Sequence, residues 1–422
     1  MELLEEILDK PNMTRAYKQV YGNKGSAGID GMPVSELKAS LKNSWVFLRA
    51  ELLDCSYQPS AIKRVFIPKP KGGKRQLGIP TVTDRLIQQA IAQKLSELWE
   101  PDFDENSYGF RPRRSAHQCL EQARSYLNKG KTYIVDIDLA KFFDRVNHDI
   151  LMGLISKKIS DKRVLVLIGK YLRTGILKDN KIAQNEEGTP QGSPLSPILS
   201  NIMLNELDKE LRKRGLSFVR YADDFSIYVR SWKAAHRVFL GIKSYLLNHL
   251  KLQVNERKSK CCRSTKFELL GYGFYANREG YQFRIGKSSL LRFKAKLKYA
   301  SQRRRSYSTE DRLKWINSFT RGWIQYFKLA KCKTALKRLD SWLRSRIRMC
   351  EWRLWKRVRT RYKKLKALGF SHDRAFSWAC TRKGAWRTAQ SPILRVSLSN
   401  QWLEKKGYIS CLSIYRDIAV RI

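Results

Sequence analysis

Two adjacent carboxylates, Asp223 and Asp224, stand between two short runs rich in β-branched and aromatic residues, Phe218-Val219-Arg220-Tyr221 and Phe225-Ser226-Ile227-Tyr228-Val229. The runs predict two strands with the acidic pair at their turn. Such a pair can simply face water, because Asp is common at turns. Held against an apolar sheet it is costly, since desolvation and mutual repulsion both oppose ionisation unless a cation compensates. A second β-rich run, Thr132-Tyr133-Ile134-Val135-Asp136-Ile137-Asp138-Leu139-Ala140-Lys141-Phe142-Phe143, also delivers carboxylates. Two sequence-distant strands ending in Asp can supply a shared two-metal site. One ion there activates an attacking hydroxyl and the other steadies the leaving group of an in-line phosphoryl displacement. Mg2+, which favours oxygen ligands, is the expected ion at both positions, with Mn2+ as a substitute. Nucleotide polymerisation needs this geometry.

The elements that must position these residues belong to a chain of 422 residues, too long for one ordinary core, so two or three packed units are expected. The net charge of +46 exceeds what solubility requires and points to a polyanionic partner, foremost nucleic acid. No signal peptide is evident in Met1-Glu2-Leu3-Leu4-Glu5-Glu6, and no apolar run reaches membrane-spanning length. The expected setting is therefore the cytosol, with no membrane partner. The eight cysteines show no metal-ligand spacing and are expected to be reduced thiols.

Charge is uneven along the chain. Residues 287–422 carry 36 Lys and Arg against 7 Asp and Glu, or +29 of the total, and eight of the eleven tryptophans. Most of those tryptophans are expected in the core, while one basic face tracks a phosphate backbone. Asp340 to Lys366 predicts one long basic amphipathic helix. The RNA-contact candidates are Arg344, Arg348, Lys356, Arg359 and Lys363, together with Arg303, Arg304 and Arg305 in an exposed connector. The expected division is 1–130, helical segments with Gly-rich turns; 131–285, an α+β unit with strands near 132–138, 217–229 and 267–284; and 286–422, a basic helical module.

Further segments fall into a recognisable order: Arg64-Val65-Phe66-Ile67-Pro68-Lys69-Pro70-Lys71-Gly72-Gly73-Lys74-Arg75, then Ser107-Tyr108-Gly109-Phe110-Arg111-Pro112, the Asp138 strand, Gly188-Thr189-Pro190-Gln191-Gly192-Ser193-Pro194, Tyr221-Ala222-Asp223-Asp224, Asn255-Glu256-Arg257-Lys258, Leu269-Leu270-Gly271-Tyr272, and Ser318-Phe319-Thr320-Arg321-Gly322-Trp323. The series resembles the reverse transcriptases encoded by bacterial group II introns, over nearly the whole chain. That resemblance implies an α+β right-hand polymerase, with fingers and an antiparallel palm sheet, followed by an α-helical basic thumb, the maturase domain. It implies metal binding by Asp138, Asp223 and Asp224, with Asp136 as second choice for the first of them. Phe143, five residues after Asp138, matches the side chain that excludes a 2′-hydroxyl, unless it is ordinary core. Lys69 and Arg75 match the grip on the incoming triphosphate, where Arg can fork onto phosphate oxygens. Gln191 and Gly192 match contacts to the nascent base pair. Lys258 matches a proton donor to the leaving pyrophosphate, with Lys260 as competitor.

The partners implied are intron RNA, an RNA/DNA primer–template duplex, deoxynucleoside triphosphates and a DNA target site, in a nucleoid-associated bacterial setting. The oligomeric state stays open. No Cys- or His-rich endonuclease segment follows the basic module, so target cleavage is not expected of this chain. Two alternatives remain: an RNA-binding splicing cofactor with an inactive polymerase site, and a reverse transcriptase serving host repair or phage defence.

Overall fold

The computed structural model describes residues 2–68, 72–178, 181–183, 187–302 and 307–419. Lys69 and the Arg303-Arg304-Arg305 connector lie outside them. Residues 1–264 form one compact unit and 265–422 a second.

In the first unit the central sheet is antiparallel, in the order β6 (Ser217–Tyr221), β7 (Asp224–Val229), β3 (Tyr133–Ile137), β8 (Lys260–Arg263). Register decides what this sheet can do. Because Ile137 pairs with Phe225, the next residues outward, Asp138 and Asp224, emerge at the same edge. Tyr221 pairs with Asp224, so Ala222 and Asp223 form a two-residue turn. The inner residues of β6 and β7, among them Phe218, Val219, Phe225, Ile227 and Tyr228, are buried, which fixes the register against a one-residue slip.

Helices supply the cover. Trp232–Leu250, capped by Ser231, whose hydroxyl accepts from Ala234 N–H at 3.2 Å, buries Ala235, Ile242, Leu246 and Leu250. Ser196–Lys213, with Pro197 in its first turn, buries Ile198, Leu199, Ile202, Leu207 and Leu211. A second sheet runs β2 (Lys74–Ile79), β1 (Ile62–Pro68), β4 (Ile176–Lys178), β5 (Lys181–Ala183), with β1 antiparallel to β2 and parallel to β4. The strand expected near 132–138 is β3, Tyr133–Ile137; the rest of the β-rich run is not strand, and Phe142–Asp144 is a single 3-10 turn. Strand β8 had no signal in the sequence reading.

The second unit opens with β9 (Glu268–Leu269), β10 (Tyr272–Asn277) and β11 (Gly280–Ile285), in the sheet order β11-β10-β9, and continues as helices. The long helix expected over 340–366 is broken. Lys333–Leu354 ends, and Val358–Ala367 begins anew. Trp355 causes the break: its ring is buried against Trp352 at 5.7 Å, its Nε1–H donates to Glu351 Oε1 at 3.1 Å, and its carbonyl accepts from Arg361 Nε at 3.0 Å. Burial of two indoles outweighs continuation of the hydrogen-bond ladder. Trp352 and Trp355 are also the only two of the eight tryptophans here that are buried among the described residues. The rest are half-buried or exposed, several with a cation over the ring: Lys294 and Arg346 at Trp342, Arg374 at Trp378, Lys406 at Trp402. The expectation that most would be core is thus corrected; they act as amphipathic plates between core and a charged surface. No helix of the described residues is long and apolar enough to cross a membrane.

Candidate active site

Asp138 leaves β3 into a backbone clamp. Its N–H donates to Ser259 Oγ at 3.0 Å, and its carbonyl accepts from Asn255 N–H at 2.8 Å. The clamp is the Asn255-Glu256-Arg257-Lys258 turn, closed by Lys258 and Ser259 N–H donating to the Asn255 carbonyl. The same turn aims Lys258, whose Nζ stands 3.2 and 3.1 Å from the two Asp138 oxygens. Lys260 points instead at Asp136, at 4.0 Å. Thus the two competing lysines face different carboxylates.

The electrostatics record the crowding at the sheet edge. Asp224 is exposed at the sheet rim, yet partial desolvation first, and then the charges of Asp223 and Asp138, push it up to about 6. Asp223 is also raised by burial and by Asp138, with Arg75 and Lys258 pulling the other way. Asp136 rises to about 6 through burial, offset by Lys260 and reinforced by Asp224 and Asp138. The charge of Asp138 thus acts on all three of the other carboxylates, and Arg75 reaches the Asp223 field from β2. Among the described residues no three Asp, Glu, His or Cys side chains are gathered to the distance at which they would share one ion. Asp138 is turned onto Lys258, which supplies positive charge where a cation would otherwise be needed. The donor set still fits a hard divalent cation: it is all oxygen, carries surplus negative charge, and lies at one edge.

A cavity of about 350 Å³ in the same unit is lined by Phe143, Gln191, Thr189, Arg64, Lys141 and Arg145, among others; none of Asp136, Asp138, Asp223 and Asp224 lines it. Phe142 is buried core, and its half-buried neighbour Phe143 packs against the same core while also lining this cavity. The Phe143 carbonyl accepts from Thr189 N–H at 2.6 Å. The Gln191 carbonyl accepts from Gly78 N–H at 2.8 Å, docking the Pro- and Gly-rich loop onto β2. Gly192 has φ +117 and lies so close to the Gly78 carbonyl that a Cβ would sit 2.6 Å from its oxygen, so only glycine fits.

The RNA-contact candidates divide. Lys356, Arg359 and Lys363 are exposed, and Arg344 is half-buried. Arg348 is not a surface residue: it is 6% exposed, and its guanidinium donates to the Leu398 carbonyl at 2.7 Å and to Asn400 Oδ1 at 3.0 Å. Burial lowers it to about 10. Helical spacing alone could not separate it from half-buried Arg344, since it lies one turn away on the same helix. The sequence reading also missed Ser259, which fixes Asp138, and Arg220, a charge inside a strand otherwise read as apolar.

Comparison with known proteins adds the following. The family described as reverse transcriptase (RNA-dependent DNA polymerase) matches residues 67–274, and the group II intron maturase-specific domain matches residues 290–369. Protein YkfC of Escherichia coli (strain K12) is 33% identical over 320 residues, covering 66% of this chain and 84% of that protein. The group II intron-encoded protein LtrA of Lactococcus lactis subsp. cremoris is 32% identical over 345 residues, covering 64% of this chain and 56% of LtrA, so the chain spans little more than half of that relative. Among solved structures, telomerase from Candida albicans aligns with a TM-score of 0.44 at 14% identity, covering 90% of this chain and 71% of that one.

Proposed function

Since the chain belongs to the group II intron-encoded reverse transcriptases, which join an RNA-directed DNA polymerase to a maturase domain, we propose that it extends a DNA primer along its intron RNA and binds that RNA to assist splicing and mobility. The observation that carries this is the register of β3 against β7, which brings Asp138 and Asp224 to one edge beside the Asp223 turn. Reverse transcriptases use divalent metal ions; Asp138, Asp223 and Asp224 would hold them here as Mg2+, which would lower the pKa of the primer 3′-hydroxyl and neutralise charge on the triphosphate.

The chain's own residues do the rest. Arg75 sits on the fingers hairpin within the field of Asp223, where a triphosphate would replace the carboxylate as its partner. Phe143 walls the cavity and, with the sugar seated there, would exclude a 2′-hydroxyl by bulk. Gln191 lines the cavity and would meet the nascent base pair, in a loop that the missing Cβ of Gly192 lets dock closely on β2. Lys258 starts on Asp138 and, once that charge is compensated, is free to turn and hand a proton to the departing pyrophosphate. Lys356, Arg359 and Lys363 face solvent in the second unit and suit a phosphate backbone. These substrates imply work in the bacterial cytosol, at the nucleoid.

The test is primer extension on an RNA template with deoxynucleotides and Mg2+, comparing wild type with Asp138→Ala and Asp223→Ala. Long complementary DNA from the wild type alone is expected. Undiminished extension by either variant would refute the carboxylate assignment.

A further inference from the structure

Beneath the carboxylate hairpin lies a charged pair that the reaction as described does not use. Arg220 on β6 and Asp208 on helix Ser196–Lys213 are both fully buried. Arg220 Nε donates to the two Asp208 oxygens at 2.9 and 3.0 Å, and Nη2 adds a further bond to the same carboxylate. Nη1 donates to Asn201 Oδ1 at 2.9 Å and to the Ala222 carbonyl at 3.0 Å. Asn201 extends the network, its Nδ2 donating to the Gly109 carbonyl at 3.0 Å. The Arg220 backbone is bound as well, its N–H to the Asn106 carbonyl at 2.9 Å and its carbonyl to Tyr108 N–H at 2.8 Å. Gly109 then passes so near the hairpin that a Cβ on it would lie 2.1 Å from Ala222 N.

A buried ion pair is weak evidence for stability, because desolvation of both charges offsets their attraction. What this pair does is geometric. It holds the Ala222 carbonyl, one half of the peptide plane whose other half is the Asp223 N–H. Ala222 has φ +60, a conformation that residues with a side chain adopt rarely and at some cost. Hairpin turns that need positive φ favour Gly, Asn or Asp at such positions. With Ala there, contacts from outside the turn must keep it in place, and Arg220 and the Gly109 backbone are those contacts. Lysine cannot substitute, since one ammonium cannot reach Asp208, Asn201 and Ala222 in the fixed fork that guanidinium provides.

We propose that Arg220 is a positioning residue for nucleotidyl transfer, clamping the Ala222–Asp223 peptide so that Asp223 and Asp224 keep the spacing from Asp138 that a divalent cation requires. The inference rests on the reading that these three carboxylates hold the cation. The test is Mn2+ binding to the full-length protein, followed by electron paramagnetic resonance, for wild type, Arg220→Lys, Asn201→Ala and Asp223→Asn, with primer extension in parallel. Asn201→Ala keeps the Arg220–Asp208 pair but removes both the acceptor that aims Nη1 beside the Ala222 carbonyl and the tie to the Gly109 carbonyl, so it loosens the clamp without stranding a buried charge and decides the matter should Arg220→Lys fail to fold. In folded variants the Mn2+ concentration for half-saturation is expected to rise roughly 10- to 100-fold, as for other groups that orient metal ligands. The same variants should lose kcat while KM for primer–template stays put, a split that general destabilisation would not produce. Wild-type Mn2+ affinity in folded Asn201→Ala overturns the clamp. Should the wild type show no Mn2+ site that Asp223→Asn removes, the carboxylate reading itself falls and takes the clamp with it.

Discussion

The two units handle charge in opposite ways. In residues 1–264 the ions that matter are few and held by geometry: Arg220 and Asp208 are sealed in the interior, Asp136 and Asp223 are half-buried, and Asp224, open to solvent at the sheet rim, is raised with them by partial desolvation and neighbouring charge. In residues 265–422 the cations are many and mostly at the surface, stacked over half-buried indoles or turned to solvent. A buried ion is worth what its geometry fixes. An exposed one contributes through a summed field that salt screens. Function should therefore fail abruptly in the first unit and in graded steps in the second.

The largest effect that can break this contrast is a double dissociation. Asp224→Ala should reduce primer extension by about a thousand-fold or more, the scale of several kcal/mol of lost charge stabilisation, while intron RNA binds as before. Replacing Lys356, Arg359 and Lys363 together by Gln should do the reverse. Extension on a short unstructured template persists, whereas intron RNA binds more weakly and the slope of log affinity against log salt falls by about two to three. An unchanged slope would mean that this face does not meet phosphate. Next in size is Phe143→Val, which should admit ribonucleotides: relative incorporation of ribo- over deoxynucleotide should rise by about ten-fold or more, since a steric clash, unlike a missing methylene, can be severe. No rise would return Phe143 to the core. Smaller again is Arg348→Gln. It should lower Tm by several degrees, about 1–3 kcal/mol for carbonyl and amide acceptors left without their donor, yet leave the salt slope alone, unlike its exposed neighbours.

How much of this was legible in the sequence follows the same division. The carboxylates were legible because strand period and turn chemistry place them: β6, β7 and β3 fall where alternation and the acidic turn predict. Phe143 was assigned by motif, but that it faces a cavity while Phe142 is buried depends on a 3-10 turn invisible to strand periodicity. Arg220 was passed over because a basic residue before an acidic turn reads as solvent-facing, and only tertiary packing against Asp208 puts it inside. In the basic unit helical spacing predicted helix but not the break at Trp355, where burial of an indole overrides local propensity. Arg348 shows the limit most plainly. Its type and spacing match those of exposed arginines, and its burial depends on helix Pro392–Ser397 and Asn400, some fifty residues away.

The smallest effect bears on why the first unit keeps costly carboxylates at all. Without a cation, Asp224 has its folded pKa raised to about 6, against about 3.9 in the unfolded chain. The folded state then holds the proton more tightly, so this group's contribution to stability is complete below about pH 4 and is lost as pH rises through about 6. Asp224→Asn removes that dependence. In EDTA near pH 7.5 the variant should melt a few degrees above wild type, and near pH 4.5 the difference should shrink toward zero, with solvent at the sheet rim keeping both values modest. Adding Mn2+ near neutral pH should reverse the order, because an ion that binds only the folded, ionised site raises the Tm of wild type and not that of the variant. Differential scanning calorimetry at the two pH values, with and without Mn2+, reads all four cases. An Asp224→Asn protein no more stable than wild type in EDTA would show that the edge carboxylates are solvated like ordinary surface acids, and the contrast between the two units would lose its sharpest term.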